Sequence, residues 1–129
     1  MNQAESFMIE PLEQVFSVCK VTDFSGINPD SPFCFTGRTD EEKSLVCPSD
    51  QVPANTVCRE DGWRAFRICG ELDFTLIGVL SGITGILAAG GIGIFALSTF
   101  NTDYILTKAE DFEKAMYLLT CEGYRVKER

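Results

Sequence analysis

Histidine is absent from the 129 residues, which removes the commonest general base and the commonest metal ligand together. Chemistry therefore falls to six cysteines and nineteen carboxylates. Cys19, Cys34, Cys47, Cys58, Cys69 and Cys121 form no C-x-x-C pair, so a zinc knuckle or thioredoxin-like site has no support. Their apolar neighbours, Val18, Phe33, Phe35, Val46 and Ile68, predict buried free thiols. Glu41-Glu42 and Glu110-Asp111 are adjacent carboxylates that point apart, a poor arrangement for shared acid–base work. No metal, cofactor or catalytic residue is expected.

Two short stretches suit a small zwitterion better. The first is Asp73-Phe74-Thr75-Leu76-Ile77, which leads into a helical pattern. Backbone N–H groups at a helix start are unpaired, and the dipole there favours a carboxylate. The second is Ser98-Thr99-Phe100-Asn101-Thr102-Asp103, between two strand patterns. Asp103 can accept from an ammonium in a charge-assisted bond. Ser98, Thr99 and Asn101 add neutral donors and acceptors, and Phe100 offers an apolar wall. A plainer reading stands beside this one. Asp73 or Thr75 caps the helix, worth ~1 kcal/mol, and Asp103 serves only its own turn. The residues alone favour the plainer reading.

The elements that must position these stretches are legible in the second half. Trp63 to Cys69 alternates bulky and charged residues, the pattern of a strand with one wet face on which Arg64 and Arg67 lie. Gly70 permits a turn, and a helix runs to about Ala89. Ile92–Ser98 and Asp103–Lys108 read as strands. A second helix starts at Glu110-Asp111 with Phe112, Ala115, Met116 and Leu119 on one face. Gly123 ends it, and Tyr124-Arg125-Val126 is a last strand. The order β-α-β-β-α-β is the ferredoxin-like split unit, which makes the fold class α+β. In the first half, Val15–Val21 reads as a strand. Phe33–Arg38 and Ser44–Cys47 form a hairpin through Thr39-Asp40-Glu41-Glu42, and Pro48 discourages further pairing. A smaller β-rich unit over residues 1–60 thus precedes the unit of residues 61–129. An acylphosphatase-type enzyme shares the second order, but it needs an arginine in the first β-to-α loop. Gly70-Glu71-Leu72-Asp73-Phe74-Thr75 has none and carries two negative charges. The chain reads as non-enzymatic.

Charge and hydropathy exclude further classes. The net charge is −8, which disfavours nucleic acid and anionic lipid as partners. Phe74 to Thr102 holds no charge and is long enough to span a bilayer. Gly90, Gly91 and Gly93 interrupt it, and a helix followed by a buried strand accounts for the same residues without lipid. Gly91-Ile92-Gly93-Ile94 looks like part of a dinucleotide fingerprint, but it opens a strand after a helix, the reverse of that motif. The first residues, Met1 to Ser6, lack a basic start and an apolar run, so a cytoplasmic location is expected.

Three segments resemble a known family. They are Phe35-Thr36-Gly37-Arg38-Thr39-Asp40-Glu41-Glu42 with Ser44-Leu45-Val46-Cys47-Pro48, Asp61-Gly62-Trp63-Arg64 with Gly70-Glu71-Leu72-Asp73-Phe74, and Ser98 to Leu106. Together they are similar to short two-part ACT proteins, related to the ACT pairs of aspartokinases and to CASTOR-type arginine sensors. The resemblance implies a C-terminal ACT domain and a divergent ACT-like N-terminal unit. It implies a homodimer and a small ligand, an amino acid, at an inter-subdomain or dimer interface. It places ligand-holding roles on Asp73 to Ile77, Ser98, Phe100 and Asp103. Where those sensors carry an acidic residue in the helix loop this chain has Leu76, so the resemblance does not carry arginine over as the ligand. The competing reading is an interaction or dimerisation module without a ligand.

Overall fold

The computed structural model describes residues 7–69 and 78–127. The elements are β1 (Met8–Val21), β2 (Phe35–Arg38), β3 (Lys43–Pro48), a short 3-10 turn (Ser49–Gln51), β4 (Thr56–Ile68), α1 (Val79–Ala89), β5 (Ile94–Ser98), β6 (Asp103–Lys108), α2 (Ala109–Cys121) and β7 (Arg125–Val126). The chain divides into two units. One is residues 14–63, and the other joins the stretch up to Glu13 to Arg64 and all that follows. The strands β1 and β4 each give one half to each unit, so the β1 half from Met8 to Glu13 joins the C-terminal unit rather than the N-terminal one expected of residues 1–60.

In the C-terminal unit, β1 is flanked by β4 and, in parallel, by β7, while β6 lies between β4 and β5. The β-α-β-β-α-β order from β4 to β7 is that of a ferredoxin-like α+β fold. The β5–β6 hairpin runs from Ile94↔Thr107 to Ser98↔Asp103. Apolar residues from both helices meet the strands in one core, in which Ile9, Phe66, Ile68, Ile83, Leu87, Ile105, Ala115 and Leu119 have no exposed surface. Arg64 does not lie on a wet face. Its guanidinium carbon sits 4.5 Å over the Phe112 ring, and Nη2 donates to the Leu12 carbonyl at 2.9 Å. Arg64 and Arg67 are three residues apart on a strand of period two, so they serve opposite faces.

The first helix departs from expectation at its start. It begins at Val79 with Gly78 as N-cap, not at a cap supplied by Asp73 or Thr75. Gly78 has φ 83°, a left-handed conformation costly for any residue with a Cβ. Gly70 and residues 71–77 lie outside the described residues. The helix ends at Gly90, where a Cβ would run into Leu118 of α2, so glycine there lets the two helices approach closely. The apolar run is thus divided by helix, turn and strand. No helix among the described residues is long and apolar enough to cross a membrane.

In residues 14–63 the strand order is β2-β3-β1-β4. The β2–β3 hairpin closes through Thr39, whose N–H donates to the Glu42 carbonyl at 2.9 Å. Pro48 ends β3 within the ladder, opposite Phe16. Cys19, Val21, Leu45 and Cys47 form the core, and Phe16 packs edge-on against Phe33 at 6.1 Å. Ser17, fully buried, donates to Asp61 at 2.5 Å.

All six thiols are free, but not all are buried. Cys58 and Cys121 are exposed. Burial pushes the Cys47 thiol up to about 12, with the thiols of Cys19 and Cys34 adding to the effect. The native chain should therefore yield Cys58 and Cys121 rapidly to a thiol reagent at pH 8, and Cys19 and Cys47 only on unfolding. Fast native labelling of Cys47 would contradict this core. Linkage sets a direction as well. A thiol raised when folded stabilises below its unfolded value near 9 and loses that contribution as pH rises toward 12.

Candidate functional site

The tip of the β5–β6 hairpin is built by its own hydroxyls. Thr99 N–H donates to the Thr102 carbonyl at 2.9 Å, and Thr99 Oγ1 donates to the same carbonyl at 3.1 Å. Thr102, buried, donates from Oγ1 to the Ile68 carbonyl at 2.8 Å, which ties the tip to the end of β4. Ser98 Oγ donates to Asp103 Oδ1 at 2.6 Å. Phe100 stands 74% exposed.

Alternation along β6 puts Asp103 with the core residue Ile105 on one face and Tyr104 on the other. The hairpin therefore splits the expected set. Asp103 and Ser98 answer each other at the register pair that opens the tip. Asn101 instead joins Thr102 and Tyr104 in lining a recess of about 340 Å³ whose other walls are Glu10, Arg67, Ile68, Cys69 and Lys127. That volume lies at the small end of the ~300–1,000 Å³ range of small-molecule sites. The stretch Asp73-Phe74-Thr75-Leu76-Ile77 lies outside the described residues.

The polar floor of this recess is a buried ion pair. Glu10 is 5% exposed. Arg67 approaches its Oε1 with Nη2 at 3.1 Å and donates to the same oxygen from Nε at 3.1 Å. Arg67 Nη1 donates to the Tyr104 hydroxyl at 3.4 Å. The Tyr104 hydroxyl and the Glu10 carboxylate hold the Arg67 guanidinium above its ordinary pKa, so it stays charged. The Cys69 thiol is pushed up by burial and by Glu10, and drawn down by Lys127 and Arg67. A buried carboxylate, a guanidinium, an ammonium, an amide and a phenol thus converge within one unit of the chain. Sequence patterning missed Glu10 because it sits next to Pro11, which argues against a paired strand. It missed Arg67 by placing it on a solvated face. No cluster of His, Cys, Asp or Glu among the described residues is set to hold a metal.

This fold, with its two helices closing one core over the β4-β6-β5 strands, is that of an ACT domain, and the family model described as ACT domain matches residues 59–121. Over that span the chain is similar to ACT domains, and its fold is similar to that of the aspartate kinase structures below. It is 29% identical to protein Atu0741 from Agobacterium tumefaciens, with a TM-score of 0.81 over 95% of this chain and 94% of that one. The aspartate kinase of Clostridium acetobutylicum shares the fold at 14% identity and a TM-score of 0.63, over 91% of this chain and 34% of that one. The ligand-free regulatory subunit of aspartate kinase from Thermus thermophilus does so at 13% identity and a TM-score of 0.61, over 95% and 100%. No curated protein matches the sequence.

Proposed function

We propose that the chain is a non-enzymatic regulatory module of the ACT type that binds a free amino acid. The observation that carries this reading is the recess at the hairpin tip. Both charge signs needed for a zwitterion line it, in a volume that suits one amino acid. Glu10 is placed to accept from the ammonium, and Arg67 and Lys127 to hold the carboxylate, with Asn101 giving both a donor and an acceptor. The likeness to aspartate kinase regulatory domains supports a regulatory role. We also propose that two copies associate, with the ligand site close to their interface. The first part of β4 supports the association alone, since Val57 to Asp61 are exposed on both faces of a strand. Free cysteines support a reducing, cytoplasmic setting.

The test is a melting-temperature screen with all twenty amino acids, run with light scattering for size. One or a few amino acids at millimolar level should raise the melting temperature. Asn101→Ala should weaken that response about tenfold in affinity, a lost hydrogen bond to a charged group. Asp103→Ala distinguishes the two sides of the hairpin. A ligand in the recess leaves this variant within twofold of the parent. A ligand held by Asp103 and residues 73–77 loses its effect in it. No shift with any amino acid, together with a dimer that is indifferent to all of them, would leave the pure interaction module.

A further inference from the structure

We infer that occupancy of the recess is coupled to the docking of β7, a strap that the bound amino acid fastens; this rests on the amino-acid reading above. The recess draws on three strands that lie side by side. Glu10 stands on β1, Arg67 and Ile68 on β4, and Lys127 next after β7. Two backbone bonds tie these walls together. Cys69 N–H donates to the Met8 carbonyl at 2.8 Å, and Lys127 N–H donates to the Ile9 carbonyl at 2.8 Å. Met8, Ile9 and Glu10 are consecutive on β1. β7 runs parallel to β1, with Met8 opposite Arg125 and Ile9 opposite Val126. The place of Lys127 in the recess thus depends on β7 staying paired.

The three strands are not equally secure. β1 has 14 residues and β4 has 13, whereas β7 has 2, and its pairing is of the parallel kind, slightly weaker per residue. Tyr124, buried in the core, pins the chain just before β7, and the partly buried Val126 packs against the same core. A strand this short opens at the low end of a protein's range of local stabilities. A ligand held by Glu10 and Arg67 on one side and Lys127 on the other bridges β7 to β1 and β4. It binds the docked form more tightly, so it shifts the opening equilibrium toward docking. Linkage runs both ways, and docked β7 raises ligand affinity by the same factor. Opening uncovers the edge of β1 at Met8 and Ile9, where backbone groups can pair with another strand. Ligand state is thereby expressed as access to that edge.

The full chain should be followed by amide hydrogen exchange with each of the twenty amino acids at millimolar level, and binding read in parallel by calorimetry. In the free chain the Lys127 amide should exchange about tenfold faster than the amides of β6, or more. An amino acid that binds should slow it about tenfold, the effect of one hydrogen bond to a charged group. Val126→Gly tests the reverse direction, since Val126 packs against the core and lies outside the recess walls. This variant should bare the Lys127 amide and weaken binding about tenfold. Ile83→Val, in the core on α1, should leave affinity within about twofold. A Lys127 amide as slow as those of β6 overturns the coupling and leaves the amino-acid reading standing. So does exchange at Lys127 that a bound amino acid leaves unaltered, or full affinity in a Val126→Gly chain whose Lys127 amide is bare. An equal loss of affinity in Ile83→Val makes the effect one of general stability and overturns the coupling too. Calorimetric binding by none of the twenty overturns both.

Discussion

Arg67→Ala should lower the unfolding free energy by about 2–4 kcal/mol and abolish amino-acid binding. Removing one partner of a buried ion pair typically costs 3–5 kcal/mol, because the remaining charge is stranded without compensation. The lower figure here follows from the 30% exposure of the Arg67 side chain, which lets water reach part of the site. Glu10, at 5% exposed, is the buried group that loses this partner. The double variant Glu10→Met/Arg67→Met separates stability from binding. Replacing both ions with apolar groups of similar size is often close to neutral. That variant should recover most of the lost stability in a urea titration and still fail to bind. Full stability in the single variant would mean that Glu10 is satisfied without Arg67. Retained binding in the double variant would mean that the pair does not hold the ligand.

The second large effect lies in the core beneath the site. Phe66→Ala should cost about 3–5 kcal/mol, the range for deleting a fully buried aromatic. Phe66 has no exposed surface, and its ring centroid is 6.4 Å from that of Phe112 on α2. Against a total stability of roughly 5–15 kcal/mol this is a large fraction, and the melting temperature should fall by roughly 10–20 °C. Phe100→Ala gives the contrast. At 74% exposed, its removal should stay within about 0.5 kcal/mol. Similar losses at both positions in calorimetry would contradict the burial pattern.

These two phenylalanines show where the sequence could be read and where it could not. Phe66 sits in a stretch whose core partners, Ile68 and the helical row ending at Leu119, recur at strand and helix periods. The ferredoxin-like order, the β5–β6 hairpin and the start of β6 at Asp103 follow from those periods. Phe100 carries no such signal, because a turn residue has no period and exposure depends on the turn's own hydrogen bonds. The first part of β4 was invisible for a related reason. Val57 to Asp61 are exposed on both faces, so no alternation marks them as strand. The β1 half from Met8 to Glu13 was hidden by Pro11 and by the step from Ile9 to Leu12, two buried residues three apart. That half brings Glu10 to the site, and no local pattern can say that a residue near the chain start faces Arg67, fifty-seven positions on. Of the hairpin residues singled out in the sequence, Asn101 lines the recess, and Ser98 donates to Asp103 across the hairpin.

The central claim is tested most directly by mapping backbone amide shifts in the nitrogen–proton spectrum while each of the twenty amino acids is added in turn. The account predicts that the largest shifts cluster at Cys69, Asn101, Thr102 and Lys127, with Ser98 and Asp103 little moved. Shifts confined to Ser98, Asp103 and the helix loop, or a spectrum that no amino acid alters, would contradict it.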